Sequence, residues 1–244
     1  MKLNCDMGES FGHWKMGMDE EIMPFIDMAN IACGFHASEP LTMSKTVALA
    51  KAQNVVVGAH PSYPDLLGFG RRDIKLSAVE ITNIVLYQVG ALQAICHKQN
   101  VPLAYVKPHG ALYNAMMRDD HIFSAMLDAM SSLSVKIPLM VLATNRADAM
   151  KAQADKQGVS LLLEAFCDRA YSDEGSLVPR SDRHSVLIGD AAIENRIREL
   201  VLDKKITTIT GKKLSINADA ICVHGDHDDA LESVKKVRAF IESL

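Results

Sequence analysis

The sequence predicts a parallel α/β fold of the βα-barrel kind, and three observations predict it. Short apolar runs rich in β-branched residues alternate with longer segments of helical period from one end of the chain to the other. The connections between the runs are of helix length, which makes neighbouring strands parallel. The chain has 244 residues, 48% of them apolar, enough for one large core, since barrels of this class run to about 250 residues. A doubly wound open sheet fits the same pattern and stays the second reading, because closure leaves no mark in a sequence.

The strand candidates in order are Lys2–Cys5, Met28–Ala32, Val55–Ala59, Leu103–Val106, Ile137–Ala143, Ser160–Ala165 and Ala220–Val223. Helical patterns lie between them. The clearest is Ser77–His97, where Ser77 and Glu80 have the spacing of a capping box and Ile81, Ile84, Val85, Val89, Leu92 and Cys96 mark one face. Despite its apolar run, Ile81 to Cys96 contains Thr82, Asn83, Gln88 and Gln93, so it reads as a buried helix and not a membrane span. The last helix has Leu231, Val234, Val237, Ile241 and Leu244 on one side with lysines between them. No Pro/Gly/Ser linker and no long-period repeat divides the chain, so residues 1–244 are expected to form a single domain. Two segments break the rhythm and read as functional loops or lids: His60–Lys75, dense in Pro, Gly and Arg, and the polar Cys167–Gly189. A hairpin-like insertion, Ile206–Asn217, reads as decoration.

Charge and cysteine usage narrow the function classes. With 26 Lys+Arg against 30 Asp+Glu, the net charge is −4, and no single-sign field is available for a nucleic-acid backbone. The five cysteines, Cys5, Cys33, Cys96, Cys167 and Cys222, are odd in number and lack CxxC spacing, as expected for reduced thiols in a cytoplasmic protein. Acidic residues Asp6, Glu9, Asp19 and Glu20 stand where a signal peptide needs an apolar run. There is no GxxxxGK[ST] loop, no strand-linked GxGxxG and no GxSxG elbow.

Six of the seven strands end in ionisable groups: Asp6; His36; His60; Lys107 with His109; Glu164 with Asp168 and Arg169; and His224 with Asp226. In parallel α/β architectures the strand C-termini build the active site, so these scattered groups should converge. Asp6, His36 and His60 are candidates for a facial divalent-metal site, and the alternative is that both histidines act as neutral imidazoles on substrate or carbonyls. In Lys107-Pro108-His109-Gly110, Lys107 is a candidate to hold an anion or stabilise an oxyanion and His109 to shuttle a proton. A buried ion pair between Lys107 and Glu164 is the plainer alternative. Glu164, inside an apolar run, is a general acid/base candidate unless Arg169 or Lys107 answers it. Of Arg71 and Arg72, at least one is expected to pair with Asp65 or Asp73 and lock the loop, and one is a candidate to bind a substrate carboxylate; Arg72 is taken as the clamp.

Seven ordered blocks between residues 4 and 226 resemble the LamB/YcsF family: Asn4–Glu9, Ala29–Ala37, Gly58–Arg72, Val106–Asn114, Glu164–Arg169, Leu177–Arg180 and Ile221–Asp226. The resemblance implies a seven-stranded βα barrel similar to the glycoside hydrolase/deacetylase barrels. It also implies ATP-dependent opening of 5-oxo-L-proline to L-glutamate, with ATP as co-substrate and two partner chains, subunits B and C. On that reading Asp6, Lys107, His109, Glu164, His224 and Asp226 are the catalytic candidates, and His36, His60, Arg72 and Arg169 the substrate-binding ones. Some barrels of the wider superfamily hold a metal on an aspartate and two histidines, which makes a metal-dependent amide hydrolase acting without ATP the alternative. The chain departs from the family pattern at Ser38-Glu39-Pro40, where Gly-Asp-Pro is usual, after Arg180, and at His227-Asp228-Asp229.

Overall fold

The structure, a computed structural model, describes residues 1–179, 182–187, 189–223 and 230–244. The chain opens with strand β1 (Lys2–Met7), a short helix α1 (Asp19–Ile22) and a 3-10 turn, then β2 (Met28–Ala32), α2 (Pro40–Ala52), β3 (Val56–His60) and α3 (Ala78–Lys98). It continues through β4 (Leu103–Val106), α4 (Gly110–Arg118), α5 (Asp120–Ser132), β5 (Leu139–Leu142), α6 (Ala147–Asp155) and β6 (Leu161–Phe166). The last third holds α7 (Asp190–Arg198), β7 (Lys205–Thr207), β8 (Lys213–Ser215), β9 (Ala220–Cys222) and α8 (Ala230–Ser243).

Seven parallel strands close into a barrel in the order β1-β2-β3-β4-β5-β6-β9. Closure rests on β9, which pairs with β6 (Glu164↔Ala220 to Phe166↔Cys222) and with β1 (Lys2↔Ala220 to Asn4↔Cys222). The open-sheet alternative is thereby settled. The staves are unequally joined. β2 and β3 stay in register from Met28↔Val56 to Ala32↔His60, whereas β4 and β5 meet at Val106↔Leu139 alone among the described residues.

The two-residue period of a strand divides each stave between two environments. On β1, Leu3, Cys5 and Met7 are buried in the apolar layer shared with the helices, while Asn4 and Asp6 bond inside the barrel. Burying each large aliphatic side chain of that layer contributes about 1.5–3 kcal/mol. Inside the barrel a separate cluster of Met28, Tyr105, Met140 and Ala220 packs the floor. Gly58 is required here, because a Cβ at this position would stand 2.2 Å from the Tyr105 ring. The missing side chain is the room the tyrosine fills.

The helices follow their local signals. Ser77 caps α3 and Glu80 returns the bond, completing the expected capping box. The departure at Ser38-Glu39-Pro40 is also a cap: the Glu39 carboxylate accepts from the N–H groups of Leu41 and Thr42, with Pro40 opening α2. Helix α3 is long and apolar enough by composition to cross a membrane. Here it is a barrel crossover that buries Ile81, Val85, Val89, Leu92 and Cys96 and packs beside α2 and α5. The β7–β8 ribbon has a larger role than decoration. It braces the segment after β6, since Ile209 N–H donates to the Tyr171 carbonyl, and the Thr208 and Thr210 hydroxyls donate to Asp173.

Candidate active site at the barrel mouth

Lys107 follows β4 and turns into the barrel, where it is 3% exposed. Its ammonium lies 3.1 Å from Glu164 Oε2 and 3.4 Å from Asp6 Oδ1, and donates to Asn4 Oδ1 (3.2 Å) and Cys222 Sγ (3.2 Å). Burial alone would lower its pKa, but the Asp6, Cys222 and Glu164 surroundings more than offset this and hold it well above the usual lysine range. Lys107 is therefore a fixed cation. The amides beneath are ordered as a relay: the Tyr105 hydroxyl donates to Asn30 Oδ1 (2.6 Å), and Asn30 Nδ2 donates to Asn4 Oδ1 and Asp6 Oδ1 (both 2.8 Å). Asn4 Nδ2 in turn donates to Glu164 Oε2 (3.3 Å). Ionic groups this deep are tolerated only when paired and hydrogen-bonded, and their concentration at strand ends marks a functional site.

Above this layer stand three histidines and a glutamate. His36 and His109 stack with ring centroids 3.8 Å apart and planes 3° from parallel. His60 meets His109 edge-on, with His60 Nε2 3.0 Å from His109 Nδ1 and 3.3 Å from Asp6 Oδ1. Glu9 Oε1 is 3.0 Å from His36 Nε2 and 3.6 Å from His109 Nδ1. Burial, followed by the neighbouring imidazoles, pushes His36 and His109 well below the usual histidine range, so both are neutral. Glu9, His36, His60 and His109 can each present one ligand atom with all four atoms within 4.8 Å of one another.

The loop after β3 holds this cluster in place. Asp65, 2% exposed, accepts from the backbone N–H groups of Gly68 and Arg72, and Gly70 N–H donates to its carbonyl. The resulting turn delivers the Phe69 carbonyl to His109 Nε2 at 2.9 Å. Gly70, at φ +64°, lets the backbone press on the stacked rings, where a Cβ would come within 2.8 Å of both His36 Cβ and His109 Cδ2. A cavity of about 770 Å³ opens over the site. Asp6, His60, Lys107, His109, Tyr113 and Arg71 line it, and Arg146 and Arg169 stand on its far side from β5 and β6. Burial and then the Glu164 charge raise the Tyr113 phenol well above its usual range, leaving a neutral hydroxyl at the wall.

The expected convergence is found for Asp6, His36, His60, Lys107, His109 and Glu164, and the Lys107–Glu164 ion pair is present together with the site. His224 and Asp226 lie outside the described residues. Arg72 differs from its expected role: its guanidinium forks onto Asp65, with Nε at 2.8 Å, and Arg71 lines the cavity instead. The metal candidates also regroup. Asp6 accepts from Asn30 and Lys107, and among the described residues Glu9, His36, His60 and His109 each offer a ligand atom within 4.8 Å of the others. Arg169 reaches the cavity wall, but its Nε and an Nη donate to the Ser185 and Val178 carbonyls, which fastens the segment after β6. Sequence reasoning passed over Asn4, Asn30, Tyr105, Tyr113 and Glu9. For Asn4 the signal was its two-residue spacing from Asp6 between apolar neighbours; for Glu9 it was its place in the Asn4–Glu9 block.

Comparison with known proteins gives relatives that span the whole chain. The 5-oxoprolinase A subunit of Vibrio cholerae is 52% identical over 242 residues, covering 99% of this chain and 98% of that protein. The protein of the same name from Chromohalobacter salexigens is 46% identical over 242 residues, with 99% and 97% covered. The solved lactam utilization protein from Thermus thermophilus superposes with a TM-score of 0.91 at 40% identity, covering 100% of this chain and 96% of that one. A GH113 β-1,4-mannanase, at a TM-score of 0.55 and 9% identity with 100% and 98% covered, shares the barrel architecture only. The LamB/YcsF family model matches residues 1–244, through staves, mouth loops and closing helix alike, and the chain belongs to that family.

Proposed function

We propose that this chain is the A subunit of an ATP-dependent 5-oxoprolinase, which opens the lactam of 5-oxo-L-proline to give L-glutamate with two partner chains, subunits B and C. The observation that carries the reading is the Lys107 cation, buried between Asp6 and Glu164 at the base of the cavity, in a chain 52% identical to a protein named for that activity. The named relatives do not favour the metal-dependent deacetylase alternative.

A lactam resists water because attack must break amide resonance. Transfer of the ATP γ-phosphoryl group to the amide oxygen makes the ring carbon electrophilic, with ADP released. Water then adds to that carbon, the ring nitrogen leaves as an amine, and the acyl phosphate left behind is hydrolysed by a second water to the carboxylate and inorganic phosphate. The transferred phosphoryl group is anionic, and the second addition, to the acyl phosphate, places negative charge on the carbonyl oxygen; a preorganised cation in a desolvated site stabilises such charge. Lys107 supplies that cation. Asp6, which shares Lys107 and lines the cavity, is placed to take a proton from the attacking water and pass it to the departing nitrogen. Arg71 is assigned the substrate carboxylate, and Tyr113 offers a neutral hydroxyl to the ring. The sequence has no Walker loop, so ATP is treated as a co-substrate of the complex. The five free, buried cysteines support a reducing, cytoplasmic setting.

The test is glutamate release from 5-oxo-L-proline and ATP by the purified chain alone and then with both partners. Glutamate only in the complete mixture is expected. No glutamate there, from partners that work with a related chain of this family, overturns the reading.

A further inference from the structure

The four-residue cluster at the mouth contains a conflict that three neutral imidazoles do not resolve. The Lys107 carbonyl lies 2.7 Å from His60 Nδ1, and the Phe69 carbonyl lies 2.9 Å from His109 Nε2. A carbonyl only accepts, so each of these nitrogens carries the hydrogen. In neutral imidazoles the opposite nitrogens, His60 Nε2 and His109 Nδ1, then hold lone pairs. Those two atoms face each other at 3.0 Å. Two further acceptors, Asp6 Oδ1 at 3.3 Å from His60 Nε2 and Glu9 Oε1 at 3.6 Å from His109 Nδ1, face the same small volume. His36 adds a third imidazole with Nε2 3.0 Å from Glu9 Oε1, and its Nδ1 is buried with no hydrogen-bond partner among the described residues.

Lone pairs gathered around one point, on rings held from behind by carbonyls, are the arrangement of a metal site and its outer shell. We infer that Glu9, His36, His60 and His109 form a binding site for one divalent transition-metal cation of the zinc class. Metal–ligand bonds of about 2.0–2.1 Å put tetrahedral ligand atoms roughly 3.3 Å apart. The separations of 3.0, 3.0 and 3.6 Å bracket that spacing and the whole set lies within 4.8 Å, and ligation requires the stacked rings of His36 and His109 to tilt out of parallel so that both lone pairs meet one ion. Three nitrogens and one carboxylate oxygen select a borderline cation over magnesium or calcium, which prefer all-oxygen sets. His60 and His109 line the cavity, which gives the ion its route in. A bound cation would add a Lewis acid beside Lys107. The site stands on its own geometry and does not rest on the lactam chemistry proposed above.

The experiment measures metal, not turnover. The untagged full-length chain is analysed for metal content as purified, stripped with a chelator, and titrated with Zn²⁺ and Co²⁺. Saturable binding of one equivalent is expected, with Co²⁺ giving visible ligand-field bands and Zn²⁺ raising the melting temperature. Glu9→Gln and His109→Gln should each weaken binding about a hundredfold or more, beyond the ~10–100-fold that loss of an outer-shell partner costs. The triple variant His13→Gln, His97→Gln, His121→Gln removes exposed surface histidines and should bind as tightly as the parent. Folding of each variant is verified by circular dichroism. If either cluster variant fails to fold, the parent titration still decides, because folded stripped protein without one-equivalent binding overturns the site. Binding undiminished in folded cluster variants, or lost in the surface variant, overturns it as well.

Discussion

An ammonium group held between the buried Glu164 carboxylate and the half-buried Asp6 carboxylate has two jobs, and substitution separates them. Lys107→Met removes the cation but leaves Asp6 and Glu164 inside the barrel, and a buried charge stripped of its partner costs about 3–5 kcal/mol. Lys107→Met should therefore lower the melting temperature as well as abolish glutamate formation. Adding Glu164→Gln removes one stranded charge and should recover much of the stability with none of the activity. Activity returning along with stability would show that Lys107 serves the fold alone. The neighbouring arginines divide in the same way. Arg71→Ala should raise the KM for the lactam about tenfold or more with a smaller change in kcat. Arg72→Ala should act only through the Asp65 turn, so the double variant should lose no more melting temperature than Asp65→Ala alone, which also gives up the bonds from the Gly68 and Arg72 N–H groups. Additive losses in that cycle would mean Arg72 has a role beyond the turn.

At the scale of elements, local chemistry explains what was legible in advance. Strands β2 and β4 have the expected bounds, and the capping box of α3 was readable because its partners are three residues apart. What was not legible depends on partners far along the chain. Arg71 and Arg72 are chemically identical neighbours, and only the fold of the turn shows which one Asp65 takes. Arg169 is committed to carbonyls 9 and 16 residues downstream. Glu9 joins the histidines only because strands β2 to β4 bring His36, His60 and His109 to the same end of the barrel. The connection after β1 also carries a titration. Asp19, at the start of α1, accepts from the Gly8 N–H (2.8 Å), and burial pushes its pKa up from 3.8 to about 6. The folded protein then holds that proton more tightly than the unfolded chain, so the stability it adds is full below about pH 4 and is lost as pH rises through 6. The melting temperature of the parent relative to Asp19→Asn should fall between pH 4 and pH 7. A pH-independent difference would place the Asp19 titration elsewhere.

The whole barrel should open unevenly. Where β4 and β5 share only the Val106↔Leu139 pairing among the described residues, few ladder bonds must break together, and local opening follows bond density. The Val106 amide, which donates to the Pro138 carbonyl at this join, should exchange with solvent faster than the Ile31 amide between β1 and β3. Equal protection in hydrogen-exchange mass spectrometry would show that the closed ring opens only as a unit.

Met28, Tyr105, Met140 and Ala220, packed beneath the polar layer, make the barrel a cul-de-sac. Traffic must then run in both directions through one doorway. On the proposed activity, lactam has to be seated before the phosphoryl donor is presented above it, and the departing amino acid has to vacate the same passage before the next lactam arrives. Such a layout enforces an order of arrival and makes the released amino acid compete with the incoming lactam.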